Sequence, residues 1–171
     1  MNKSQALLLL QNLEAPDQLI LHALLVGEAG EQIIKTLANL NIDFDRNFVE
    51  VGIVLHDVGK INYPAEIDQK GCLHELEGQR ILLKQGIDPK LARVCLSHGQ
   101  WHNINHSLEE LLIALADKLW KGKRVRKLEE KVIQAVAKIV AQEYWETFLI
   151  LDTCFETISN QGDARLARSI V

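Results

Sequence analysis

The sequence predicts an all-α fold in a single domain. No stretch alternates apolar and polar residues long enough to make a strand. Prolines stand only at positions 16, 64 and 89, and between them apolar residues recur at helical spacing. With 171 residues, 47% hydrophobic and 25% charged, the composition is that of a globular chain, and one of this size buries about 68–70% of its unfolded surface. The net charge of −4 speaks against a dedicated nucleic-acid binder.

Residues 19–40 read as a helix despite Gly27 and Gly30, and residues 45–58 as a second. Residues 59–72, with Pro64 and Gly71, read as a loop. A third helix runs from about His74 to Gln85, with Gly86 as its C′ residue. Asp88 and Pro89 supply an N-cap and N1 for a fourth, which closes near His98. Ser107 and Glu110 form a capping box for a fifth, reaching about Lys121. Residues 123–161 lack Gly and Pro and carry a stripe of Leu128, Val132, Ala135, Val136, Ile139 and Val140, so they form one long helix or two in succession.

Apolar runs such as 111–116 are far shorter than the roughly 18–20 residues of a membrane span. The start, 1–10, is too brief for an export signal. Cys72, Cys95 and Cys154 are odd in number and form no CxxC pair, as expected of reduced thiols in a cytoplasm.

Functional information lies in ionisable residues set among apolar ones. His22 sits within Leu19 to Val26, a segment apolar all round. His56 and Asp57 follow Val51-Gly52-Ile53-Val54-Leu55, and Asp117 follows Leu111 to Ala116. Each alone has an ordinary reading: a hydrogen-bonded core histidine, a helix-end pair, an aspartate paired with Lys or Arg. A buried carboxylate is unfavourable unless paired, hydrogen-bonded or bound to a cation, and convergence on a metal explains all four at once. His74 opens one helix and His98 closes the next, so both can rim the same cavity. Asp57, with two oxygens, can then bridge two ions, the first held with His22, His56 and Asp117, the second with His74 and His98. Imidazoles suit Zn or Fe and carboxylates suit Mn or Mg, and paired ions about 3.5–4 Å apart suit phosphoester hydrolysis.

This ordered set resembles the HD superfamily of metal-dependent phosphohydrolases. His22 comes first, then His56-Asp57 within His56-Asp57-Val58-Gly59-Lys60, then His74 and His98, then Asp117 in Ala116-Asp117-Lys118, over about residues 19–121. Within the superfamily the chain is most similar to small bacterial proteins that cleave dinucleoside tetraphosphates, on the His74 to Gly78 step and the placement of His98. No Gly-Tyr-Pro motif accompanies the core, unlike the cyclic-di-GMP branch. The resemblance implies a helical bundle, to which the helices over 123–161 are added in the same domain, and hydrolysis of a phosphoester or phosphoanhydride, often in a nucleotide, by metal-activated hydroxide.

It also implies a phosphate contact for Lys60, which is otherwise an exposed loop lysine, and with less support for Lys118. Asp57 and Lys60 are therefore the expected catalytic residues. Glu75, beside His74, is a candidate acid or base, or a solvated glutamate favoured by the helix N-terminus. Trp101 and His102, in the loop after His98, either reach the substrate as a lid or lie in a plain surface loop. The basic run Lys118, Lys121, Lys123, Arg124, Arg126 and Lys127 either attracts polyphosphate or is a solvated junction. The expected partner is a small phosphorylated substrate, with no membrane; self-association stays open. Competing functions are a di-iron oxygenase of the same superfamily and a non-catalytic nucleotide-binding domain.

Overall fold

The computed structural model describes residues 1–103, 105–140 and 143–170, and among these there is no strand. The elements are α1 (Lys3–Asn12), α2 (Asp17–Asn39), α3 (Arg46–Leu55), α4 (Leu73–Lys84), α5 (Pro89–Ala92), α6 (Val94–Ser97), α7 (Leu108–Leu119), α8 (Arg126–Val140), α9 (Tyr144–Asn160) and α10 (Gly162–Arg168). Two short 3-10 turns, Val58–Ile61 and Pro64–Ile67, lie in the expected loop between α3 and α4.

Local signals set most boundaries. Asp45 caps α3 by accepting from Phe48 N at 2.9 Å, and Ser107 with Glu110 forms the capping box of α7. Gly86, after α4, takes φ +73°. The expected fourth helix is two short pieces meeting at Arg93, α5 and α6. The 123–161 stretch is two helices, α8 and α9; residues 141 and 142 between them lie outside the described residues. Two helices carry no expectation from periodicity. α1 opens with a capping box of Asn2 and Gln5, and α10 follows Gln161.

α2, α3 and α7 pack against one another at the centre, with α8 and α9 beyond α7. The main core joins Leu25, Ala29, Ile33 and Leu37 of α2 to Ile53 of α3 and to Leu112, Ile113 and Leu115 of α7. α7 is buried on nearly every side: Ile113, Ala114, Leu115 and Ala116 are wholly inaccessible. A helix so enclosed forces Asp117 inside as well, at 6% exposure. α3 ends at Leu55, and the chain bends at His56 and Asp57 into the 3-10 turn, which turns both side chains inward, at 0% and 3% exposure.

Candidate metal centre

The end of α3, the start of α4, the end of α6 and the second turn of α2 meet at Asp57. Its Oδ2 lies 3.1 Å from Nε2 of His22, on α2, and 3.5 Å from Nε2 of His56. Its Oδ1 lies 3.2 Å from Nε2 of His74, on α4, and 3.4 Å from Nε2 of His98, just past α6. Two triads result, His22–His56–Asp57 and Asp57–His74–His98, each with its donor atoms within 4.8 Å of one another. Asp117, on α7, directs Oδ1 toward the first triad, 3.7 Å from His22 Nε2 and 3.6 Å from His56 Nε2. All six expected ligands are therefore brought together.

The donor set fits divalent ions. Ligands about 2.0–2.2 Å from one ion stand roughly 3.0–3.5 Å apart at octahedral to tetrahedral angles, which is the range of the separations around Asp57. Three rings are fixed through Nδ1, which leaves Nε2 aimed inward: His56 on Ile53 O at 2.8 Å, His98 on Val94 O at 3.1 Å, and His74 on Glu66 Oε2 at 2.5 Å. This is the outer arrangement that metal-ligating histidines require. His74 Nε2 is buried and makes no well-directed hydrogen bond within the protein, and His22 and His56 hold their Nε2 atoms 3.4 Å apart. A cation between such atoms satisfies both.

Glu66 was not singled out from the sequence. Its carboxylate also accepts the backbone N–H groups of Leu73 and His74, at 3.2 and 3.1 Å, so it fixes the start of α4 together with the ring. Glu75 is buried and accepts from Gln100 Nε2 at 2.8 Å.

Two lysines balance the acids. Lys60 Nζ lies 2.6 Å from Asp57 Oδ2, and Lys118 Nζ lies 2.6 Å from Asp117 Oδ2. Burial works to raise both carboxyls, yet both are held well below the usual aspartate range, Asp57 by His56 and the imidazoles of His22, His74 and His98 around it, Asp117 by His56 and the Lys118 ammonium. Burial pulls the His74 imidazole down, but Asp57 and Glu66 outweigh it and raise it.

The centre lines a cavity of about 540 Å³ that also takes in Lys60, Lys118, Glu75, Trp120 and Lys121. Trp101 and His102 are not among its lining residues. Trp101 packs against the main core, with Lys131 Nζ bonded to its carbonyl at 3.0 Å. The basic run is divided: Arg124 pairs with Glu129 and Asp152, and Arg126 with Glu130. No helix among the described residues is long and apolar enough to cross a membrane.

A helical scaffold that gathers histidines and aspartates from separate helices around one carboxylate defines a class of metal-binding hydrolase folds. Residues 19–121 match the family model of the HD domain, and the chain belongs to that family, whose members are generally metal-dependent hydrolases. It is 27% identical over 139 residues to a tRNA (cytidine(56)-2'-O)-methyltransferase of Thermoplasma volcanium, covering 72% of this chain and 38% of that protein. It is 30% identical over 98 residues to an uncharacterized protein of Methanocaldococcus jannaschii, covering 57% of this chain and 54% of that one. The chain thus spans well under two thirds of the length of either relative. No solved structure matches it.

Proposed function

We propose that the chain is a metal-dependent phosphohydrolase that cleaves a phosphoester or phosphoanhydride bond in a small phosphorylated compound, foremost a nucleotide. The observation that carries this is Asp57 presenting one oxygen to each of two triads. Divalent ions held there supply Lewis-acid polarisation of a phosphoryl oxygen and activation of water. The chain's own residues do the rest. Asp57 sets the spacing of the two triads, and the fixed imidazoles keep both geometries without rearrangement. Lys60 and Lys118, 15% and 21% exposed at the side chain, place positive charge where a phosphoryl group gathers negative charge.

The name of the Thermoplasma relative raises RNA as a substrate. The ion pairs of Arg124 and Arg126 neutralise part of the basic run, while Lys118 and Lys121 line the cavity instead, which favours a small molecule.

Elemental analysis of protein purified without added metal, then a screen of phosphorylated compounds with Mn, Fe, Zn or Mg, tests the reading. Expected are one to two ions per chain, phosphate release without oxygen, and loss of both metal and turnover in Asp57→Ala. Oxygen-dependent turnover requiring iron, or tight nucleotide binding by metal-loaded protein with no turnover, overturns it.

A further inference from the structure

We infer that α10 is the wall of the cavity that selects the non-phosphate part of the substrate, with Leu166 as the specificity residue and Arg165 positioning it. The inference rests on the phosphohydrolase reading above. α10 lies beyond the segment that matches the HD domain, yet it contributes Leu166 to the lining of the cavity that holds Asp57 and Asp117, and Ser169 just after it joins that lining.

Its placement is over-determined. Arg165 is 1% exposed. Its guanidinium donates to Trp120 O at 2.7 Å, to Leu119 O at 3.4 Å and to Ile158 O, at the C-terminal ends of α7 and α9. Carbonyls at a helix C-terminus attract a cation, so this arginine ties α10 to the helix that carries Asp117. At the start of α10, Gly162 lies against Gly122, where a Cβ would stand 2.3 Å from Gly122 N, a contact that only bare backbone permits. Toward the other end, Arg168 forks onto Glu28 of α2, at 2.7 and 2.6 Å.

The helix so fixed gives the cavity two chemistries. Lys60 and Lys118 stand at the carboxylates, while Leu166 joins Leu19, Ile67 and Trp120 as apolar lining. Inorganic phosphate engages only the charged part. A phosphate ester with a planar, weakly polar substituent engages both, and burying that substituent adds affinity.

The test is calorimetric titration of the full metal-loaded chain with two probes, inorganic phosphate and adenosine monophosphate. Leu166 is 37% exposed, so Leu166→Ala leaves the fold intact. It is expected to weaken adenosine monophosphate three- to tenfold and to leave phosphate within twofold. Arg165→Lys, which keeps the charge but loses the fork, is expected to move the two affinities in the same pattern with metal content unchanged. If Arg165→Lys does not fold, Leu166→Ala alone decides. The proposal is overturned if wild type binds neither probe, if both affinities fall together, or if neither changes in Leu166→Ala. Selective loss in a protein that hydrolyses nothing leaves the wall standing and removes the hydrolase reading. Hydrolysis with no Leu166 effect does the reverse.

Discussion

Lys60 Nζ and His22 Nε2 approach the same atom, Asp57 Oδ2, at 2.6 and 3.1 Å. An ammonium on a ligand oxygen opposes a dication on that oxygen, since unit like charges at about 4 Å repel by roughly 4 kcal/mol at intermediate effective dielectric, and a dication by about twice that before solvent screening. Lys118 is placed differently. It holds Asp117 Oδ2, whereas Oδ1 faces His22 and His56. Lys60→Met is therefore expected to tighten, about tenfold, the metal-binding event that His22→Ala abolishes. Lys118→Met is expected to change it less than threefold. Isothermal titration with Mn or Zn checks both, and equal effects would refute the asymmetry.

Glu66 orients His74 through a 2.5 Å contact to Nδ1. Loss of such an outer partner typically weakens a metal site 10- to 100-fold. Glu66→Ala should lower affinity by about that factor for the ion bound by the Asp57–His74–His98 triad and spare the other. Competition with a chelator measures the two separately.

Acidity acts on the His74 triad in opposite senses with and without metal. Asp57 and Glu66 raise the His74 imidazole above its ordinary value of 6.5 despite burial. Ligation needs the neutral ring, so metal uptake by that triad weakens as pH falls through the raised value. In metal-free protein the sign reverses. A raised folded value contributes stability in full below the unfolded value and loses it as pH rises through the folded one. Stability from Asp57 and Asp117, both held low, is present above the ordinary aspartate range and fades as pH falls toward their depressed values. Chelator-treated protein should thus lose less stability between pH 6 and 8 in His74→Gln than in wild type. Thermal melts across that range provide the comparison.

Gly59, in the motif after Asp57, packs flush on α4. A Cβ there would stand 1.9 Å from His74 O and 2.5 Å from Gly78 N, backbone atoms that cannot swing aside. Gly59→Ala should destabilise the fold by about 2–4 kcal/mol and displace His74. Denaturant titration and metal content together report it, and an unchanged midpoint would count against this packing.

The ligands were legible because burial of charge is costly: His22, His56, Asp57 and Asp117 each interrupt an apolar run, and a run of that kind announces an interior. Glu66 gave no such signal, since it lies in a polar segment and becomes informative only when the 3-10 turn brings it to His74. Arg165 was hidden for the same reason. Ala164-Arg165-Leu166-Ala167-Arg168 carries no apolar run that would mark an interior, and the burial of Arg165 depends on the contact between Gly122 and Gly162, 40 positions apart. For Trp101 the sequence left two readings, a lid over the substrate or a plain loop; in the structure it packs against the core, with Lys131 on its carbonyl, and does not line the cavity. Proximity to His98 in sequence did not decide between them, and distance in sequence concealed Leu166.

The shared carboxylate of Asp57 makes the two triads unequal in what evolution can do with them. On the two-ion reading proposed above, descendants can discard either ion by altering one imidazole and keep the remaining half intact. Loss of Asp57 strikes both triads, whereas loss of one histidine or of Asp117 strikes a single triad, so drift toward a one-ion relative begins at one of those residues.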